Sequence, residues 1–169
     1  YVVVFLDRSD NHYPVAQVRH ILIKAAADSD GSYTDKAKEI AKNRAEELLA
    51  EFNAGDKTED SFAELAKDYS EDTGSAENGG LYDAVYKGAT VEEFDKFCFE
   101  GHKKGDTAIV YGESSSYAGY HVMYYVGEGD LYSNLLAKND LVNTTVSQWL
   151  EDQVNALTVT NGWWLRIAG

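Results

Sequence analysis

Among 169 residues there is one cysteine, one proline and one methionine. A lone Cys98 admits no internal disulfide, so packing must hold the fold, and one thiol says little about redox compartment. It sits in FDKFCFE among aromatics, where a buried structural thiol is expected rather than a nucleophile. No apolar run is long enough to span a bilayer. Cations are also scarce: 15 Lys and Arg against 29 Asp and Glu give a net charge of −14. That balance argues against nucleic acid as a partner and for repulsion from anionic membrane surfaces. Most of the acids serve solubility. An initiator Met is missing, and the opening YVVVFLD reads as part of a longer chain, so any membrane attachment would come through an anchor on that parent.

What is present is a foldable core. Hydrophobic residues make up 44% of the chain and there are twelve tyrosines, enough for a packed domain with appendages. Residues 1–7 read as a strand and Gln17 to Lys24 as a second one. There the period of two sets Val18, His20, Leu22 and Lys24 against Arg19, Ile21 and Ile23. An acidic loop at 25–34 precedes a helix capped by Thr34 or Asp35 and running to about Asn53. Its apolar side carries Ala37, Ile40, Ala41, Leu48, Leu49 and Phe52. Phe62, Leu65, Ala66 and Tyr69 recur at helical spacing, with Asp60 or Ser61 as cap. The following loop ends in Gly79-Gly80, a pair with unusual backbone demands. A short helix is expected from about Val91, then strands over Thr107–Tyr111 and Tyr120–Val126, with His121, Met123 and Tyr125 on one face. A long helix over 130–156, a strand-like TVT and WWLRI close the chain. One strand, three helices and returning strands make an α+β layer architecture.

The stretch SFAELAKDYSEDTGSAENGGLYD, with VRHILIK before it and YAGYHVMYYVGEG after it, resembles the parvulin-type peptidyl-prolyl isomerases, the PpiC or rotamase family. The resemblance covers roughly residues 17–127. It implies a four-stranded antiparallel sheet wrapped by helices around a shallow proline-binding groove. Residues 1–16 become an N-terminal strand extension and 128–169 a C-terminal helical and strand extension. By this resemblance His20 and His121 are the first- and last-strand histidines, and Asp72 falls where the family carries Cys or Asp. Leu81, Thr90, Phe94 and Met123 are expected to contact substrate, Thr90 standing where many members have Met. Ser116 keeps a hydroxyl at a position where the family often has one. One extra residue is counted between Leu81 and Lys87 relative to the commonest pattern.

The chemistry fits such residues. Rotating an X–Pro amide breaks no bond, so it demands neither nucleophile nor metal, only a surface complementary to the twisted amide. The histidines then serve better as hydrogen-bonding supports than as acid–base catalysts, and a buried pair that merely holds the sheet would use the same residues. A metal site from His20, Asp72 and His121 is disfavoured because no two of them are local neighbours in sequence. No cofactor is expected. The resemblance further implies an extracytoplasmic foldase acting on unfolded, proline-containing polypeptides, as in gram-positive lipoprotein foldases and periplasmic chaperone isomerases. The alternatives are an inactive module that binds extended polypeptide as a chaperone, and an interaction domain docking through Trp163 and Trp164.

Overall fold

The computed structural model describes residues 10–157. Four strands, β1 (Pro14–Lys24), β2 (Leu81–Val85), β3 (Thr107–Glu113) and β4 (Ala118–Leu131), form one sheet in the order β2-β1-β4-β3. Every neighbouring pair is antiparallel. The helices are α1 (Asp35–Ala54), α2 (Glu59–Tyr69), α3 (Glu92–Phe99) and α4 (Tyr132–Ala156). This is the α+β class expected from the sequence.

The alternation of β1 and β4 decides which helix covers which face. Ile21, Ile23, Val122 and Tyr124 point to one side, where Ala41, Ala45, Leu48 and Phe52 of α1 and Phe62 and Ala66 of α2 close over them. Phe52, Phe62 and Tyr124 meet ring to ring at centroid distances of 5.3–5.8 Å. Burying one such side chain contributes about 1.5–3 kcal/mol. Val18, Met123 and Tyr125 point to the other side and pack on Phe94, Phe97 and Cys98 of α3. Burial pushes the Cys98 thiol up to about 12, which makes it inert.

Local chemistry sets the helix ends. The Thr34 hydroxyl accepts the Ala37 N–H at the start of α1. α2 begins earlier than the sequence suggested: Thr58 is its cap, and Thr58 and Ser61 exchange side-chain and backbone hydrogen bonds. Ile40, expected on the buried side of α1, is 60% exposed. At its C-terminal end β4 continues past Val126 to Leu131, through a register shift where Gly127 faces Gln17.

The chain divides into two compact units at Tyr132/Ser133. The second contains nearly all of α4, none of whose side chains is buried. Among the described residues no helix is long and apolar enough to cross a membrane. The strand at 1–7, the strand-like piece at 158–160 and Trp163-Trp164 lie outside the described residues.

Candidate active site

On the α3 side of the sheet the regular alternation of apolar side chains is interrupted by His20 and His121, which are 1% and 4% exposed. His20 faces Met123 across the ladder and His121 faces Leu22, so the two imidazoles are diagonal neighbours on one face. Their Nδ1 atoms are 3.0 Å apart. From the other side of each ring the chain continues: His20 Nε2 lies 3.0 Å from Asp72 Oδ2, and His121 Nε2 lies 3.0 Å from the Tyr117 hydroxyl.

Asp72 reaches His20 because the segment after α2 runs beside β1. Glu71 N–H donates to the Leu22 carbonyl and Leu22 N–H to the Ser70 hydroxyl. The Gly74 N–H then binds Asp72 Oδ1, and the Ser75 and Ala76 N–H groups bind the Asp72 carbonyl, which turns the chain sharply. The loop is locked back onto β1 by the Gly80 carbonyl, which accepts the His20 N–H at 2.9 Å. Gly80 has φ +68°, and a Cβ there would collide with the His20 carbonyl oxygen, so only glycine serves. From the opposite face Arg19 binds the Asn78 and Gly79 carbonyls and pairs with Glu59, fixing the same loop.

One carboxylate oxygen collects three donors. Asp72 Oδ2 accepts from His20 Nε2, from the Ser75 hydroxyl at 2.6 Å and from the Tyr82 hydroxyl at 3.0 Å. The His20 contact, with Ser75 and the Gly74 N–H, holds this carboxyl well below the usual carboxylate range despite partial burial. Burial, aided by the proximity of His20, pushes His121 down to about 3, so its ring is neutral near pH 7. An ionised carboxylate only accepts, so His20 carries its proton on Nε2. The two Nδ1 atoms share one hydrogen bond, and His121 Nε2 shares another with the Tyr117 hydroxyl. The hydrogen bonds join Tyr117, both imidazoles and Asp72 in one continuous chain. Gly112 makes room for the outer end: a Cβ there would lie 2.8 Å from His121 Nε2 and 3.0 Å from the Tyr117 oxygen.

Beside this chain is an open cavity of about 310 Å³, lined by Tyr82, Ala89, Thr90, Val91, Phe94, Tyr117 and His121. The Phe94 ring stands roughly perpendicular to both imidazoles, at 5.4 Å from His20 and 5.3 Å from His121. The Thr90 hydroxyl oxygen is buried in the wall without a hydrogen-bond partner.

The structure brings His20, Asp72 and His121 into one chain and sets Thr90 and Phe94 in the cavity wall. Three expected residues stand elsewhere. Leu81 pairs with Arg19 and so turns to the opposite face, leaving the wall to Tyr82. Met123 is wholly buried in the core beneath α3 and lines no part of the cavity. Ser116 is exposed and bonds to Ser114 in the β3–β4 turn, so the hydroxyl on His121 is that of Tyr117 instead. Asp72 is tied back by its donors and is not part of the lining. Ser75, Tyr82 and Tyr117 are the residues that sequence reasoning did not select. Ser75, three residues after Asp72 in a turn, carried a local signal; the two tyrosines depend on strand parity and on the hairpin path.

A four-stranded antiparallel sheet with a buried histidine pair, an ionised carboxylate and an adjoining apolar cavity defines a class of small prolyl-isomerase domains. A family model described as a PPIC-type PPIASE domain matches residues 3–126, and the chain belongs to that family. Its domain is a parvulin-type peptidyl-prolyl cis–trans isomerase domain. The chain is 29% identical over 159 residues to foldase protein PrsA 3 of Bacillus anthracis, covering 89% of this chain and 48% of that protein. It is 34% identical over 139 residues to foldase protein PrsA of Staphylococcus aureus strain Newman, covering 82% of this chain and 40% of that one. The 1.70 Å crystal structure of the peptidylprolyl isomerase PrsA from Bacillus anthracis matches with a TM-score of 0.50 and 22% identity. That match covers 89% of this chain and 64% of the other, a likeness of fold. The chain spans about half the length of the curated relatives it matches.

Proposed function

We propose that the parent protein is an extracytoplasmic foldase and that this domain turns over X–Pro bonds in extended, proline-containing clients. The observation that carries the proposal is the hydrogen-bonded chain Tyr117–His121–His20–Asp72 beside an apolar cavity of about 310 Å³. An unaided X–Pro bond crosses a barrier of roughly 18–20 kcal/mol in tens to hundreds of seconds. A planar amide places negative charge on its carbonyl oxygen, and the twisted amide, having lost resonance, places less there. A site rich in hydrogen-bond acceptors therefore disfavours the planar form more than the twisted one, which is differential binding in favour of the transition state.

In this scheme Phe94, Tyr82, Thr90 and Val91 hold the prolyl ring away from water. The Tyr117 hydroxyl oxygen presents a lone pair to the cavity beside the His121 ring. Asp72 acts through them, since it fixes where each proton of the chain sits. Nothing in the scheme moves a proton to substrate. The acidic loop at 25–34, with Asp28 and Asp30 and neither Lys nor Arg, would repel a doubly charged phosphate before proline, so unmodified clients are preferred.

Slow refolding of a secreted protein limited by proline isomerisation tests the proposal. Catalytic amounts of the domain are expected to speed the slow phase, with a phosphorylated client gaining no advantage. Reduced aggregation at stoichiometric amounts, with an unchanged slow phase, would select the chaperone module instead.

A further inference from the structure

We propose that Tyr82 is both the cavity's side wall and the positioning residue for Asp72, its ring shaping the prolyl site while its hydroxyl holds the carboxylate at the end of the histidine chain. The inference rests on the isomerase function proposed above and deepens it.

The geometry gives one side chain both contacts. On β2, Tyr82 pairs with Val18, two residues before His20, so its ring falls on the site face of the sheet. The ring lies 4.7 Å from the His20 ring and 5.9 Å from Phe94, spanning the gap between the buried imidazole and the apolar wall. Its hydroxyl, 3.0 Å from Asp72 Oδ2, donates to an oxygen that His20 and Ser75 also address. Those two belong to the strand and loop that carry the site already, and they fix the carboxylate from β1 and from its own turn. Tyr82 is the one donor that reaches Asp72 from the cavity side. The phenol stays protonated and able to donate, because burial, with the Asp72 charge beside it, raises its pKa to about 12.

Both contacts bear on turnover. The ring, packed between His20 and Phe94, sets the width of the cavity. With the carboxylate anchored, His20 keeps its Nε2 proton on Asp72, and the acceptor ends of the chain stay turned to the cavity. Loss of the hydroxyl alone should therefore lower kcat and leave KM nearly unchanged. Loss of the ring as well should raise KM.

The test is a double-mutant cycle of Tyr82→Phe with Asp72→Ala, repeated with Asp72→Leu, which also lacks an acceptor, should the alanine variant fold poorly. Tyr82→Phe is expected to lower kcat about threefold to tenfold, the scale of one ordinary hydrogen bond. In the Asp72 variants it should cost nothing further. An equal loss in both backgrounds, or a change in KM alone, would overturn the inference. The cycle is also read by urea unfolding, which needs no turnover. Coupling between the two residues there, with a wild-type domain inert toward X–Pro peptides, would count against the isomerase function; absence of coupling there would overturn the Tyr82 contact itself.

Discussion

The two faces of β1 and β4 are built from alternate residues of the same strands and serve opposite ends. Under α1 and α2 the side chains of Ile21, Ile23, Val122 and Tyr124 pack on carbon-rich partners such as Leu48, Phe52 and Phe62. One residue over, His20 and His121 occupy the matching central positions under α3, and each ring nitrogen there has a polar partner. A buried polar pair of that kind is costly unless every atom is satisfied, so the site face is ordered by the hydrogen bonds of Asp72, Ser75, Tyr82 and Tyr117, and the apolar face by packed volume. The contrast separates stability from turnover within a single sheet.

The largest expected effect lies on the apolar face. Leu48→Ala removes a fully buried side chain from beneath α1, and the resulting cavity should cost about 2–5 kcal/mol of stability. Turnover per folded molecule, measured well below the melting range, should stay at the wild-type level. A comparable loss of activity in the folded variant would erase the distinction between the faces. Asp72→Ala should do the reverse, lowering kcat about 10- to 100-fold, the kinetic equivalent of roughly 1.5–3 kcal/mol from charge-assisted hydrogen bonds. Full activity in Asp72→Ala would remove the carboxylate from the account.

The most gradual effect is a slope. The His121 pKa is pushed down to about 3 in the folded protein, against about 6.5 in an unfolded chain. Between those values the unfolded state binds the extra proton, so stability rises with pH and is lost as pH falls from 6.5 towards 3. Its contribution is about 1.4 kcal/mol per pH unit. Asp72, also lowered on folding, adds a loss of the same sign only below the ordinary carboxylate range. Urea unfolding between pH 7 and pH 4.5 should show the one-proton slope, and His121→Gln should flatten it.

Much of this was legible in the sequence, for physical reasons. The helical spacing of Phe62 and Ala66, the two-residue period around His20 and the Gly79-Gly80 pair each record a local constraint, and the fold obeys them. His20 and His121 were legible because both sit at inward positions of strongly alternating strands. Tyr82 and Leu81 show where local reading ends. Both are apolar enough to line a cavity, and only the pairing of Tyr82 with Val18 decides which one turns inward. Met123 shares a face with His121, but that face continues under α3, where Met123 is buried too deeply to touch a ligand. Tyr117 reaches His121 only because Gly112 on the facing strand leaves space for it.

The most direct measurement is cis–trans exchange in a short X–Pro peptide, followed by two-dimensional exchange NMR with the isolated chain. The expected result is exchange on the sub-second scale at catalytic concentrations, against tens to hundreds of seconds without protein. The same rate should persist in the presence of a chelator, because the rotation needs only the cavity and the hydrogen-bonded chain beside it. An exchange rate equal to that of the free peptide, even with folded protein in excess, would contradict the assignment of this site to prolyl isomerisation.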